Sequence, residues 1–311
     1  MSHAAQAQGV PFFYEVRGFW ELSRLAWDPT YAETAAFQHE VDGEAEVARS
    51  AQRIFTLTRF MADELVRRGV NRERIDLVPN GYSGPLPPWT GRVRSAGAAW
   101  AAARGWTVGY IGSFSAYEGL EDLVWACAIL RREGLPVNLR LVGASQASGL
   151  LQAEEACPVS LKLRDLAREL GFEKGLTITG RVPPVALAEH YAALDLFVIP
   201  RKPLQVCELV SPIKPLEAAA YGVPLLCSNV APLEEMAQEA GFALFNKGDR
   251  EDLKRQIGQL LPATSQRQAM AEQGRHWVDT ERRFEKLVQP MVEAFRQCPP
   301  RFGLRSRGNS P

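Results

Sequence analysis

The sequence predicts an α/β fold built on a parallel sheet. Two observations carry this. From Trp106 onward, apolar runs of strand length alternate with segments whose apolar residues recur at helical spacing. Strands separated by helices of that length connect as parallel neighbours, which gives a sheet covered on both faces.

The elements follow in order. PFFYEVRGF reads as a strand emerging into a loop, and residues 31–50 carry a helical pattern. RIFTLT is a strand, RFMADELVRRGV a helix, and RIDLVPNGYSG a strand running into a turn. Residues 83–105, with SGPLPP and an alanine-rich stretch, read as a linker or surface insertion. WTVGYIGS is a strand ending at Gly112. The next segment, GLEDLVWACAILRREG, is an amphipathic helix with Leu120, Leu123, Val124, Cys127 and Leu130 on one face. VNLRLVG is a strand, SLKLRDLARELG a helix closed by Gly171, LTITG a strand, and PPVALAEHYAAL a helix opened by prolines. DLFVIP, PLLCS and FALFN supply further strands, and two helical stretches complete the unit. Ligands of such sheets bind outside the carboxyl ends of the strands. Gly112-Ser113, Gly143-Ala144-Ser145, Gly180-Arg181 and Pro200-Arg201-Lys202 fall at those ends.

Composition narrows the function classes. The chain has 311 residues, 46% of them hydrophobic and 23% charged, as in a soluble globular protein of one large or two ordinary domains. Lys plus Arg and Asp plus Glu each number 36, so no overall field attracts nucleic acid. Five cysteines show no metal-site spacing and read as reduced thiols of a cytoplasmic protein. The start, MSHAAQAQGV, has no apolar segment of a signal peptide. No apolar run approaches the roughly 18 residues that span a membrane. A Rossmann-type dehydrogenase is disfavoured, because no Gly-x-Gly-x-x-Gly follows the first strand of either region.

The chemistry concentrates in VCELVSPIKPLEAAAYGVPLLCS, residues 206–228. Glu208 and Glu217 fall in a loop leading into a helix, with Lys214 between them. Carboxylates there can accept hydrogen bonds from sugar and ribose hydroxyls. Lys214 and the helix start can hold a phosphate. Taken alone, the same residues also suit an ordinary first-turn glutamate and a surface lysine.

The wider pattern resembles retaining glycosyltransferases of the two-domain GT-B architecture, family 4, the glycosyl transferases group 1. Those enzymes carry two glutamates separated by seven residues, the second opening a helix that ends in Ala-x-Gly-x-Pro. Glu217-Ala-Ala-Ala-Tyr-Gly222-Val-Pro224 matches the second half, whereas Glu208 lies one residue too far away. The resemblance implies a Rossmann-like parallel-sheet donor domain at 106–280 and a remnant of an N-terminal Rossmann-like acceptor domain at 1–85. A linker at 86–105, a helix at 281–298 crossing back to the N-domain and a disordered tail at 299–311 complete it. Pro79-Asn80-Gly81 would mark the passage between domains. The usual opening strand and Gly-rich loop of the N-domain are missing from this stretch of sequence.

The resemblance also distributes roles. Glu217 would meet the ribose hydroxyls, Glu208 the donor sugar, and Lys214 the leaving diphosphate. Arg181 and Val182 would lie near the base, and Arg201 and Lys202 would flank the diphosphate. Ser211, Pro212, Ile213 and Leu216 would complete the donor loop, and backbone amides at Gly112, Ser113 and Phe114 would cradle phosphate. Arg17 stands where the family often carries a histidine facing the reaction centre. Glu118-Gly119 replaces the family's Lys-Gly, so positive charge must come from elsewhere. The implied function is transfer of a sugar, with retention, from a nucleotide-diphosphate donor to a glycan, lipid-linked or small-molecule acceptor. The alternative is a truncated, non-catalytic relative that binds nucleotide-sugar or pairs with a complementary N-terminal chain. No cofactor is expected beyond the donor substrate. No metal is expected either, since Asp-x-Asp, which holds a metal-bound diphosphate in the other major glycosyltransferase fold, occurs nowhere. The expected location is cytoplasmic, with the inner face of the membrane as a variant.

Overall fold

A computed structural model describes residues 5, 7–93, 104–145 and 158–298. The alanine-rich half of the expected linker, Cys157 and the tail at 299–311 lie outside the described residues. The chain divides into two compact units, Met1–Pro79 with Leu287–Pro311, and Asn80–Lys286.

The smaller unit holds a three-stranded parallel sheet in the order β1-β2-β3, from Phe13–Val16, Arg53–Thr56 and Ile75–Leu77. Its helices are α1 (Trp20–Leu25), α2 (Ala35–Ser50) and α3 (Arg59–Arg67). Thr34 and Thr58 cap α2 and α3 by accepting the amides of Phe37 and Met61, as short hydroxyl side chains do. Arg68 is buried against two carboxylates, at 2.6 Å from Glu21 and 2.8 Å from Glu64. The sheet packs on the C-terminal helix of the chain, where Phe55, Val78 and Ala294 form a core joined by Phe13 and Met291. Phe295 meets the Phe13 ring edge-on at 4.8 Å.

The larger unit holds six parallel strands in the order β6-β5-β4-β7-β8-β9. These are β4 (Trp106–Ile111), β5 (Val137–Val142), β6 (Leu176–Ile178), β7 (Leu196–Ile199), β8 (Leu225–Ser228) and β9 (Ala243–Phe245). Among the described helices, α4 (Leu120–Arg132), α5 (Pro158–Glu169), α6 (Leu187–Ala192), α7 (Gln205–Leu209) and α8 (Lys214–Ala220) connect strands. So does α9 (Ala231–Ala240); α10 (Arg250–Leu260), α11 (Thr264–Glu281) and α12 (Phe284–Leu287) follow, and α13 (Gln289–Gln297) belongs to the smaller unit. The α4 face reaches the core as its spacing implies, with Leu120, Leu123, Val124, Cys127 and Leu130 all buried against β4 and β5 residues such as Val108 and Leu139. Each such fully buried aliphatic side chain contributes roughly 1.5–3 kcal/mol.

Three elements differ from the sequence reading. Glu208 lies on a short helix of its own, α7, rather than in a loop. The last helical stretch is broken into α11, α12 and α13, with Pro290 in the first turn of α13, where a missing N–H costs nothing. The described part of the expected linker is a strap laid on the larger unit. Just before it Tyr82 N–H donates to Arg282 O at 2.7 Å; along it Arg275 donates to Pro87 O at 2.8 Å, and Val93 N–H donates to Gln268 Oε1 at 2.8 Å.

Candidate functional site

A cleft of about 550 Å³ opens at the carboxyl ends of β4, β5 and β6. Its walls are Ile111, Gly112 and Ser113 after β4, Val142, Gly143 and Ala144 after β5, Arg181 and Val182 after β6, Leu187, and Ile213, Lys214 and Glu217 at the start of α8. The strand order reverses between β4 and β7, so β4 and the α8 start face each other across the switch point. A surface depression of about 630 Å³ lies beside α10, where Lys254 is paired with Glu133 at 3.0 Å and Arg255 with Asp252.

Two glycines make the cleft possible. Gly143 has φ +136°, and a Cβ there would sit 1.9 Å from Gly112 O. A Cβ on Gly112 would meet Lys214 Cε at 2.3 Å, so the lysine stem passes across the bare Gly112 backbone. Beyond it Lys214 Nζ reaches Glu118 Oε1 at 2.8 Å. Arg201 Nη2 meets the same oxygen at 3.1 Å, with its Nη1 on Val210 O at 2.9 Å. Glu118 is 1% exposed. Burial pushes its carboxyl up, and the Arg201 and Lys214 charges outweigh that and hold it at about 2. The triad of two cations and one carboxylate is therefore a net positive charge, with Lys214 as its member in the cleft wall.

Glu217 lines the same cleft. Burial pushes its carboxyl up, while the Tyr191 hydroxyl and the Lys214 charge act against the rise. Tyr191 donates to Glu217 Oε2 at 3.2 Å. The loop before α8 is tied to the start of the unit, where Asn80 Nδ2 donates to Ser211 O at 2.9 Å. That contact gives the Pro79-Asn80-Gly81 turn a structural task.

Of the residues singled out from sequence, Gly112, Ser113, Arg181, Val182, Ile213, Lys214 and Glu217 come together in the cleft. The others do not line it. Arg201 is buried on Glu118 rather than in the cleft wall. Lys202 pairs with Glu121. Glu208 accepts Ala231 N–H at 3.0 Å at the start of α9 and Lys247 Nζ at 2.5 Å, so its carboxylate is engaged away from the cleft. Ser211, Pro212 and Leu216 are buried and act as packing for the loop. Arg17 belongs to the smaller unit and pairs with Glu15 at 2.8 Å. The three-amide cradle is also reduced. Gly112 N–H and Phe114 N–H are spent on the carbonyls of Val142 and Ala144. Sequence reasoning placed Gly143 and Ala144 at a strand end without giving them a role, and it passed over Tyr191, which carries no local signal.

The fold is α/β of the GT-B type, with the cleft at the carboxyl ends of the parallel strands. Residues 101–277 match the family model of glycosyl transferases group 1, and residues 1–81 match a glycosyl transferase 4-like domain. The first match alone spans more than half of the chain, which belongs to the glycosyl transferases group 1. Over 182 residues the chain is 28% identical to the GDP-mannose-dependent alpha-(1-6)-phosphatidylinositol monomannoside mannosyltransferase of Mycobacterium tuberculosis, covering 58% of this chain and 44% of that protein. Over 292 residues it is 27% identical to the D-inositol 3-phosphate glycosyltransferase of Acidothermus cellulolyticus, covering 89% and 61%. The chain thus spans about half the length of the curated relatives it matches. Among solved structures, Anabaena HepE in complex with UDP and glucose superposes with a TM-score of 0.73 at 16% identity, covering 95% of this chain and 74% of that one. The sucrose-phosphate synthase of Thermosynechococcus elongatus gives a TM-score of 0.71 at 19% identity, covering 94% and 70%. At these identities the likeness is one of fold. Among the described residues, no helix is long and apolar enough to cross a membrane, and no cluster of three or more His, Cys, Asp or Glu could hold a metal.

Proposed function

We propose that the larger unit binds a nucleoside-diphosphate sugar in the cleft after β4, β5 and β6. We further propose that the protein transfers the sugar, with retention, to a glycan, lipid-linked or small-molecule acceptor. The observation that carries this is the convergence of Glu217, Lys214 and the Gly112-Ser113 and Gly143-Ala144 turns on one cleft. A half-buried carboxylate suits the ribose diol, since an ionised carboxylate only accepts and a diol donates twice. The negative charge that grows on the departing diphosphate would be met by Lys214 and the Ser113 amide. Fixed charge aimed at developing charge is the main way such a site lowers a barrier. Arg181 lines the same cleft.

UDP in the solved neighbour and GDP-mannose in the name of one relative support a nucleotide-sugar donor. The inositol-bearing acceptors in the relatives' names support the lipid-linked and small-molecule options. No resident cofactor or metal is required in this reading. A cytoplasmic location, or one at the inner face of a membrane, suits such donors. A second reading is a protein that binds nucleotide-sugar without turnover. It is favoured by Glu208, whose carboxylate is engaged by Ala231 and Lys247 and leaves the donor sugar without that partner. The two readings separate on release of nucleoside diphosphate from UDP-, GDP- and ADP-sugars, followed by chromatography with and without inositol phosphate. Release that Lys214→Met abolishes supports the transferase. Binding without release supports the second reading.

A further inference from the structure

We infer that Tyr191 is a positioning residue that orients the Glu217 carboxylate for recognition of a ribose diol. The inference rests on the proposed donor site. Tyr191 is 1% exposed, at the C-terminal end of α6, with β7 and α7 between it in sequence and the helix that carries Glu217. Its ring stacks on Tyr221 with centroids 4.4 Å apart and planes at 14°, and tilts against Phe197 at 5.9 Å. The ring is therefore held on two sides by neighbours from β7 and from the residue that follows α8. Its hydroxyl can donate in one direction, and that direction is Glu217 Oε2.

The consequence is geometric. A glutamate side chain turns about three bonds, and an unanchored carboxylate samples orientations that a rigid diol cannot match. With one lone pair of Oε2 occupied, the plane of the carboxylate is set, and Oε1 with the remaining Oε2 lone pair is left for two ligand hydroxyls. Burial, and then the charge on Glu217, push the Tyr191 hydroxyl well above its usual range, so it remains a donor throughout the accessible pH range. The groups that face Glu217 are Tyr191 from α6, Lys214 on its own helix, Tyr82 just before the strap, and Tyr221 behind Tyr191. Of these, Tyr191 and Lys214 act against the rise that burial imposes on Glu217. Removing the Tyr191 hydroxyl leaves burial less opposed, and the carboxylate then protonates at higher pH.

The test is calorimetric titration of UDP, GDP and ADP, each beside its 2′,3′-dideoxy counterpart. The phosphates and base are identical within each pair, so the affinity ratio isolates the diol. Wild type should prefer the ribose form. Tyr191→Phe should shrink that preference about three- to tenfold, the scale of one ordinary net hydrogen bond. It should also shift upward the pH at which the preference is lost on acidification. Tyr221→Phe, which keeps the Tyr191 hydroxyl on Glu217, should retain the preference. In a Glu217→Gln background, Tyr191→Phe should add little, because the two act through one contact. Thermal unfolding of each variant reports whether the fold is kept, and the Gln-background comparison decides the matter if Tyr191→Phe is destabilised. A wild type that ignores the diol overturns the donor-site reading itself. A wild type that reads the diol, with Tyr191→Phe equal to it in ratio and pH profile, overturns the role of Tyr191 alone.

Discussion

Glu118→Gln tests the electrostatic arrangement under the cleft. The glutamine keeps the shape and removes the charge that Arg201 and Lys214 share. Arg201 is 6% exposed, so a buried guanidinium would be left beside a lysine with no counter-charge. Breaking a buried ion pair by removing one partner costs roughly 3–5 kcal/mol. The depression of the Glu118 carboxyl by its two cations points to a figure of the same order. Its carboxyl is held at about 2 against an ordinary 4.5. At 1.36 kcal/mol per unit that difference is worth about 3 kcal/mol. The sign follows from the depression of the folded value. The stabilisation is present above the unfolded pKa near 4.5 and is lost as pH falls through the folded value. Urea unfolding followed by fluorescence is the assay, with Trp106, Trp125 and Trp277 reporting on the larger unit. At pH 7 the variant should lose about 3–5 kcal/mol, and the gap to wild type should narrow as pH falls below 4.5 toward 2. A loss under about 1 kcal/mol at pH 7, or a gap that stays constant with acid, would refute the reasoning.

Two further outcomes follow from the geometry. Gly143→Ala would place a methyl 1.9 Å from Gly112 O at a φ of +136°, so nucleoside diphosphate affinity should fall with a strain cost of about 1–3 kcal/mol; affinity equal to wild type in titration would contradict the cleft's construction. Glu208→Ala should lower the unfolding free energy by about 1 kcal/mol, the usual value of a helix-start acceptor, and leave nucleoside diphosphate affinity unchanged; a large drop in affinity would return Glu208 to the donor site.

The sequence carried the strands and the cleft's outline because both depend on local pattern. WTVGYIGS and VNLRLVG are apolar runs ending in glycine, and parallel pairing then brings Gly112 and Gly143 to one edge. Glu217 and Lys214 were legible because they sit three residues apart at a helix start. What stayed hidden depends on contacts between distant positions. Glu118 is 96 residues from Lys214 and 83 from Arg201, so nothing in its neighbourhood announces a buried triad. For the same reason Arg201 and Lys202 looked like available cations. The helix that carries Glu208, α7, was not legible because five residues carry too little periodicity to be seen, and neither was its turn toward Ala231 and Lys247. Tyr191 reads as an ordinary aromatic in a helical segment until its hydroxyl is located.

The central claim is that the cleft after β4, β5 and β6 holds a nucleoside diphosphate through Glu217. Calorimetry with UDP, GDP and ADP, in the presence and absence of EDTA, tests it most directly. At least one should bind, unaffected by EDTA, and Glu217→Ala should weaken it by about 1–3 kcal/mol, the scale of hydrogen bonds to a charged group. No binding to any of the three, or binding that Glu217→Ala leaves unchanged, would contradict the account.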